Sequence, residues 1–133
     1  MKPLRELRAT QLNVQRTEHA IQTAFVSWYR RRYSNELIFS IPNGGSRGSN
    51  DLDRKITGSL LKQEGLLPGV PDLMIPGRRM FIEFKSARGC LSPAQVDVID
   101  RLRNAGYQVH VFYSLEEAVS HFLELEKEAT CPG

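Results

Sequence analysis

The sequence predicts an α/β fold in which helices flank one mixed β-sheet. Stretches with a helical apolar period alternate along the chain with short stretches of β-branched and aromatic residues. Two of the short stretches are separated only by a Pro-Gly turn at 76–79, which is typical of a hairpin. Two helices open with capping-box patterns, Ser92 with Gln95 and Ser114 with Glu117.

The first helix is predicted to begin at a Thr17 cap and to run to about Tyr33. Its buried face is predicted from apolar residues at helical spacing, namely Ile21, Ala24, Phe25, Trp28 and Tyr29. Glu18 shares that inward face by spacing, although the positive end of the helix dipole explains an acid in the first turn equally well. Residues 37–41 are predicted to form a short buried strand.

A polar loop and a second helix are predicted before the hairpin. Residues 42–50 form a loop rich in backbone amides, with one arginine, and such a loop can hold a phosphate. Its glycines lack the spacing of a P-loop or a dinucleotide fingerprint, so we predict no organic cofactor. The second helix is predicted over 51–64 and ends at Gly65.

The hairpin is predicted from strands over 72–75 and 80–85. Antiparallel pairing brings Asp72 near Glu83, and strand alternation turns Lys85 to the same face as Glu83. Charged groups in an apolar hairpin lower stability unless they are paired or bind a metal. The hairpin is therefore the predicted functional site.

Three elements are predicted after the hairpin. A helix begins at the Ser92 cap and closes at Gly106, and a strand follows over 107–112. The last helix is predicted over 114–128. Its apolar stripe consists of Ala118, Phe122 and Leu125.

The composition is that of one globular domain. With 133 residues, 41% hydrophobic and 25% charged, the chain can form a single core. We predict a mobile segment over 1–16, a domain over 17–128 and a tail over 129–133. Neither a membrane span nor a signal peptide is evident, so a cytoplasmic location is expected. Cys90 and Cys131 are then free thiols, and a net charge of +3 permits a polyanionic partner.

The predicted hairpin site has the groups for phosphodiester hydrolysis. Mg²⁺ takes oxygen ligands such as Asp72 and Glu83, and a bound cation polarises phosphate oxygens and activates water. Lys85 can orient that water or stabilise charge on the phosphorus, and Glu18 can add a further carboxylate if its helix packs beside the hairpin. The competing interpretation is a structural ion pair on a half-exposed hairpin.

Several ordered blocks resemble the VRR-NUC (virus-type replication-repair nuclease) family of the PD-(D/E)xK nuclease superfamily. They are 41–43 (Ile-Pro-Asn), 64–66 (Glu-Gly-Leu), 68–73 (Pro-Gly-Val-Pro-Asp-Leu), 81–85 (Phe-Ile-Glu-Phe-Lys), 88–95 (Arg-Gly-Cys-Leu-Ser-Pro-Ala-Gln) and 102–106 (Leu-Arg-Asn-Ala-Gly). The acid-x-lysine pattern is common, whereas the Gly-Val-Pro-Asp and Leu-Ser-Pro-x-Gln blocks together are specific.

The resemblance implies a restriction-endonuclease-like αβββαβ core, with the 51–64 helix as an insertion. It implies an enzyme dependent on Mg²⁺ or Mn²⁺. The implied metal ligands are Asp72, Glu83, the Phe84 backbone carbonyl and Glu18. Lys85 is the implied catalytic lysine, and Gln95 is the implied helix glutamine, although the capping box alone explains a glutamine there.

A chain of this size, similar to small Holliday-junction resolvases, is expected to act as a homodimer on branched DNA in replication, repair or phage DNA processing. The phosphate-contacting residues are predicted to be Asn43, Arg47, Lys62 and Arg88, each of which is equally explained as an ordinary loop or surface residue. Two other functions stay open: a non-catalytic DNA-binding module, and a metal-dependent hydrolase of a small phosphorylated molecule.

Overall fold

The computed structural model describes residues 17–42 and 58–130. The predicted mobile segment, the loop after Pro42 with Asn43 and Arg47, and the first half of the predicted second helix lie outside the described residues.

The described elements follow the predicted order. They are α1 (Glu18–Arg32), β1 (Phe39–Ser40), a helical segment over 58–63, β2 (Leu73–Ile75), a 3₁₀ turn (Pro76–Arg78), β3 (Met80–Phe84), α2 (Pro93–Asn104), β4 (Gln108–Phe112) and α3 (Leu115–Thr130). The predicted mixed α/β fold is confirmed. None of the helices in the described ranges has the length and apolar character needed to cross a bilayer.

The four strands form one mixed sheet in the order β1-β2-β3-β4. β1 pairs antiparallel with β2, and β2 pairs antiparallel with β3. Between β3 and β4, Gln108 N donates to Arg79 O at 2.9 Å and Lys85 N donates to Phe112 O at 2.9 Å. From the first of these bonds to the second, the residue numbers increase along both strands, so β3 and β4 run parallel. Helix α2 supplies the crossover that a parallel pair requires.

The chain divides into two compact units. Among the described residues, one comprises 17–35, 84–89 and 111–130, and the other comprises 36–42, 58–83 and 90–110. The border falls inside β3, between Glu83 and Phe84.

The first unit has an aromatic core around α1. Thr17 caps the helix as predicted, its hydroxyl accepting from Ala20 N at 3.1 Å. The Phe25 ring is fully buried, and its centroid lies 5.4 Å from that of Phe84 and 5.6 Å from that of Phe122. At the end of α1, two Arg32 nitrogens donate to the Glu126 carboxylate at 2.7 Å, and these bonds raise the pKa of the guanidinium.

The second unit is built on the hairpin and α2. Its buried apolar residues include Ile38, Leu73, Ile75, Met80, Phe81, Ile82, Val98, Ile99 and Val109. Gly106 has φ of +95° directly after α2, which is the left-handed conformation that favours glycine at a helix end. The predicted helix end at this position is confirmed.

Two strand predictions need correction. The strand predicted as buried over 37–41 has only two residues, and both are exposed, because β1 is an edge strand with one neighbour. Ile38 is buried, whereas Leu37 is 64% exposed. The predicted alternation put the charged Glu83 and Lys85 on one face of this strand, yet all five residues of β3, Glu83 among them, are buried. Phe84 packs against Phe25 of α1 and Glu83 binds Gln95 of α2, so consecutive side chains, which point to opposite faces of the strand, are both covered.

Candidate active site

The hairpin register brings the two predicted acids together. Leu73 pairs with Ile82 as the last residue pair of β2 and β3. The same register, continued by one residue, sets Asp72 opposite Glu83. Side chains at directly opposed positions have their Cβ atoms about 4.5–5.5 Å apart. The Asp72 backbone is held from its other side, because its carbonyl accepts from Ile41 N at 2.8 Å.

Glu83 is the buried acid of the site. It is 2% exposed, and no other charged residue in the described ranges is buried to this degree. Asp72, by contrast, is partly exposed. The two opposed positions therefore carry one buried acid and one partly exposed acid.

Gln95 provides a hydrogen-bond donor to the buried acid. Its Nε2 donates to Glu83 Oε1 at 3.0 Å. The same side chain completes the capping box of α2, since Gln95 Oε1 accepts from Ser92 N at 2.8 Å. Ser92 Oγ in turn accepts from Gln95 N at 3.2 Å. The capping-box interpretation of Gln95 is therefore confirmed, and the same side chain also contacts Glu83.

The helix cap also fixes which end of the Gln95 amide faces Glu83. A primary amide has one acceptor oxygen and one donor nitrogen. Because Ser92 N can only donate, it binds the oxygen and turns the NH₂ group toward the carboxylate. The capping box thus orients the donor that stabilises a charged Glu83.

Glu18 and Lys85 belong to the first unit and are described within it. Of the two interpretations of Glu18, the inward-facing one does not hold, because Glu18 is exposed; its place in the first turn fits the one based on the helix dipole. Its Oε1 accepts from Ser86 N at 3.3 Å. The Glu18 carboxylate therefore holds the backbone directly after Lys85. Lys85 itself is partly buried.

The predicted phosphate-contacting residues are only partly within the described ranges. Lys62 and Arg88 are both exposed. Arg88 lies in a turn that is closed by a bond from Gly89 N to Ser86 O at 2.8 Å. Asn43 and Arg47 lie outside the described residues. Within 17–42 and 58–130, no three or more His, Cys, Asp or Glu side chains are grouped to hold a metal.

Gly69 lies against α2. No role for this glycine is predicted from the sequence. Gly69 has φ of +95°, and its α-carbon approaches the Ala94–Gln95 peptide so closely that no side chain fits between them. The signal was present in the sequence as a glycine between Pro68 and Val70. A turn glycine, however, does not reveal which distant backbone it meets.

Comparison with known proteins identifies the family. The profile of the VRR-NUC domain matches residues 16–116. The chain belongs to the VRR-NUC family. This family lies within the PD-(D/E)xK nuclease superfamily, so the resemblance seen in the sequence is confirmed.

A solved structure described as a VRR_NUC domain protein shares the fold of this chain. The two have a TM-score of 0.63 and 24% sequence identity, over 84% of this chain and 89% of the other. No curated protein matches the chain significantly. Membership of the VRR-NUC family gives the protein a nuclease-type function, with DNA as its substrate.

The variant Gln95→Glu tests the contact with the buried acid. It keeps an acceptor for Ser92 N but sets a second carboxylate against Glu83, so we expect the free energy of unfolding at pH 7 to fall by about 1–3 kcal/mol. The loss should shrink at pH 5, because like charges raise the pKa of one carboxyl, which then keeps a proton and restores the hydrogen bond. Urea unfolding at both pH values measures this.

Gln63→Glu is the matched control, since Gln63 is exposed and the charge change is the same. It should leave stability nearly unchanged at both pH values. A loss in Gln95→Glu that is equal at pH 7 and pH 5 would contradict the assigned contact.

Proposed function

We propose that the protein is a metal-dependent DNA endonuclease in which Asp72 and Glu83 hold Mg²⁺ or Mn²⁺. The observation that supports this most strongly is the hairpin register, which sets a partly exposed aspartate opposite a buried glutamate. Two acids from adjacent strands, one of them held by an oriented amide, form a site prepared for a cation.

The donor set fits a hard divalent cation. Carboxylate oxygens are the ligands that Mg²⁺ prefers, and it commonly uses one or two of them together with waters and substrate phosphate oxygens. A buried carboxylate is costly unless it has a compensating charge, and a cation at Glu83 supplies one. The backbone carbonyl of Phe84, the next residue of β3, is the proposed third protein ligand. When bound, the cation polarises a phosphate oxygen and lowers the pKa of a coordinated water.

The other side chains have separate roles in the proposed reaction. Gln95 orients the Glu83 carboxylate through its Nε2 hydrogen bond. The Lys85 ammonium, with three donors, stabilises the negative charge that develops on the phosphate group and orients the attacking water. Glu18, the proposed first-helix acid, holds the Ser86 amide and so fixes the backbone next to Lys85.

DNA contacts are proposed for the exposed cations near these segments. Arg88 sits at a tight turn three residues after Lys85, and Lys62 is exposed in the helical segment 58–63. Long cationic side chains on a surface neutralise phosphates and position a duplex without reading its sequence. Asn43 and Arg47 are proposed contacts on the basis of the sequence alone.

We further propose that the enzyme is a homodimer that prefers branched DNA, acting in replication, repair or phage DNA processing. A small domain offers little surface for DNA on its own. A two-fold dimer would present two identical sites to two strands of a junction. This proposal rests on the chain's length and its family.

Substitutions in the hairpin should abolish cleavage without unfolding the protein. We expect Asp72→Asn and Lys85→Ala each to slow metal-dependent cleavage of labelled DNA by about 10²-fold or more, because the first removes the charge of a metal ligand and the second removes a cation that acts on the reacting phosphate. Linear, flapped and four-way-junction substrates with Mg²⁺ or Mn²⁺ give the measurement. Circular dichroism checks that each variant is folded.

Asp97→Asn and Lys127→Ala are the matched controls, because they make the same charge changes at exposed helical positions. Both should cleave at the native rate. Native rates in Asp72→Asn would refute the site. DNA binding with no cleavage by the native protein would favour an accessory module, and hydrolysis of a small phosphodiester without DNA cleavage would favour the small-molecule enzyme.

Sedimentation tests the proposed assembly. We expect the native protein to sediment as a dimer at micromolar concentration and to bind a four-way junction as one dimer per junction. Raising the salt concentration should weaken DNA binding steeply, because phosphate contacts release counterions. A monomer both alone and on the junction would contradict the dimer.

A further inference from the structure

Gly69 lies against the backbone of α2 with no room for a side chain. A Cβ built on Gly69 would lie 2.5 Å from Ala94 O, 2.6 Å from Ala94 C and 2.9 Å from Gln95 N. All three atoms belong to the backbone, so no side-chain rotation can relieve the collision. The contact exists only because residue 69 has no side chain.

This contact joins two segments that carry site residues. Gly69 precedes Asp72 by three positions, and the peptide that it touches includes the nitrogen of Gln95. That peptide lies in the first turn of α2, whose capping box orients the Gln95 amide toward Glu83. The spacing between Gly69 and the 94–95 peptide therefore sets how the Asp72 segment and the Gln95 side chain lie relative to Glu83.

We propose that Gly69 is a positioning residue for the acid pair, acting through the first turn of α2. Any larger residue would separate the Asp72 segment from that turn. That turn would then shift, and the hydrogen bond from Gln95 to Glu83 would lengthen. The metal-binding consequence rests on the proposed function, whereas the geometric consequence does not.

Two other glycines provide matched controls. Gly106 has φ of +95°, like Gly69, and a Cβ there would meet only the mobile end of Arg79 at 3.8 Å. Gly65 has φ of +109°, and a Cβ built there would have no neighbouring atom within 4 Å. Alanine at any of the three positions is strained by the positive φ, but only at Gly69 does it also collide with backbone. Differences between Gly69→Ala and the controls therefore report the collision.

The experiment compares Gly69→Ala with Gly106→Ala and Gly65→Ala. Mn²⁺ binding is followed by calorimetry, and the Gln95 side-chain amide is followed by NMR in metal-free protein. In Gly69→Ala we expect the Gln95 amide resonances to shift and Mn²⁺ affinity to fall by about 10-fold. DNA cleavage should fall by about 10²-fold, as for a displacement near 1 Å. The two controls should match the native protein in all three measurements.

A cycle with Gln95→Ala tests whether Gly69 acts through that residue. If it does, Gly69→Ala should weaken Mn²⁺ binding much less in the Gln95→Ala background than in the native one. Equal losses in both backgrounds would show that Gly69 does not act through Gln95, and would overturn the proposal.

Two further outcomes would also overturn it. One is a folded Gly69→Ala protein with native Gln95 resonances and native Mn²⁺ affinity. The other is a Gly69→Ala protein that unfolds while Gly106→Ala stays folded, since Gly69 would then be required for the fold as a whole. A native protein that binds no Mn²⁺ would reject the proposed metal site instead, and the Gln95 resonances would still decide the role of Gly69.

Discussion

The buried carboxylate of Glu83 is the constraint on which the rest of the site depends. A charged acid that is 2% exposed is unfavourable unless the fold supplies donors or positive charge around it. Helix α2 supplies one such donor, because its first turn places the Gln95 amide against the carboxylate. The antiparallel hairpin sets Asp72 opposite Glu83, and a second acid beside the first increases the need for positive charge at the site.

One hydrogen-bonded side chain connects helix formation to the chemistry of the site. Gln95 accepts a hydrogen bond from the Ser92 backbone and donates one to Glu83. The same side chain therefore fixes both the N-terminus of α2 and the orientation of the Glu83 carboxylate. In most capping boxes the N3 position, which Gln95 occupies here, accepts either glutamate or glutamine. In this protein the residue must also present a donor at the same place, which among common capping partners only a glutamine does.

Local patterns predicted much of this arrangement. The Pro-Gly turn and the two short apolar runs indicated the hairpin and hence the Asp72–Glu83 pairing, because antiparallel register follows from turn position. The capping box of α2 could also be predicted, because it involves two residues that are three apart in the sequence. Local patterns could not predict the exposure of β1, the burial of both faces of β3 or the contact of Gly69 with α2. These features depend on which distant segments pack together, and a single sequence does not encode that in its local spacing. Glu18 shows the same limit, because helical spacing indicated a face but not how the first turn projects.

Anomalous diffraction from Mn²⁺-soaked crystals tests most directly whether Asp72 and Glu83 together hold a divalent cation. The data are collected at an energy where manganese scatters anomalously. Our account predicts one anomalous peak within about 2.5 Å of a carboxylate oxygen of Asp72 and of Glu83. The peak should be lost in crystals of Asp72→Asn. A peak coordinated by other residues, or none at a Mn²⁺ concentration that supports cleavage in solution, would contradict it.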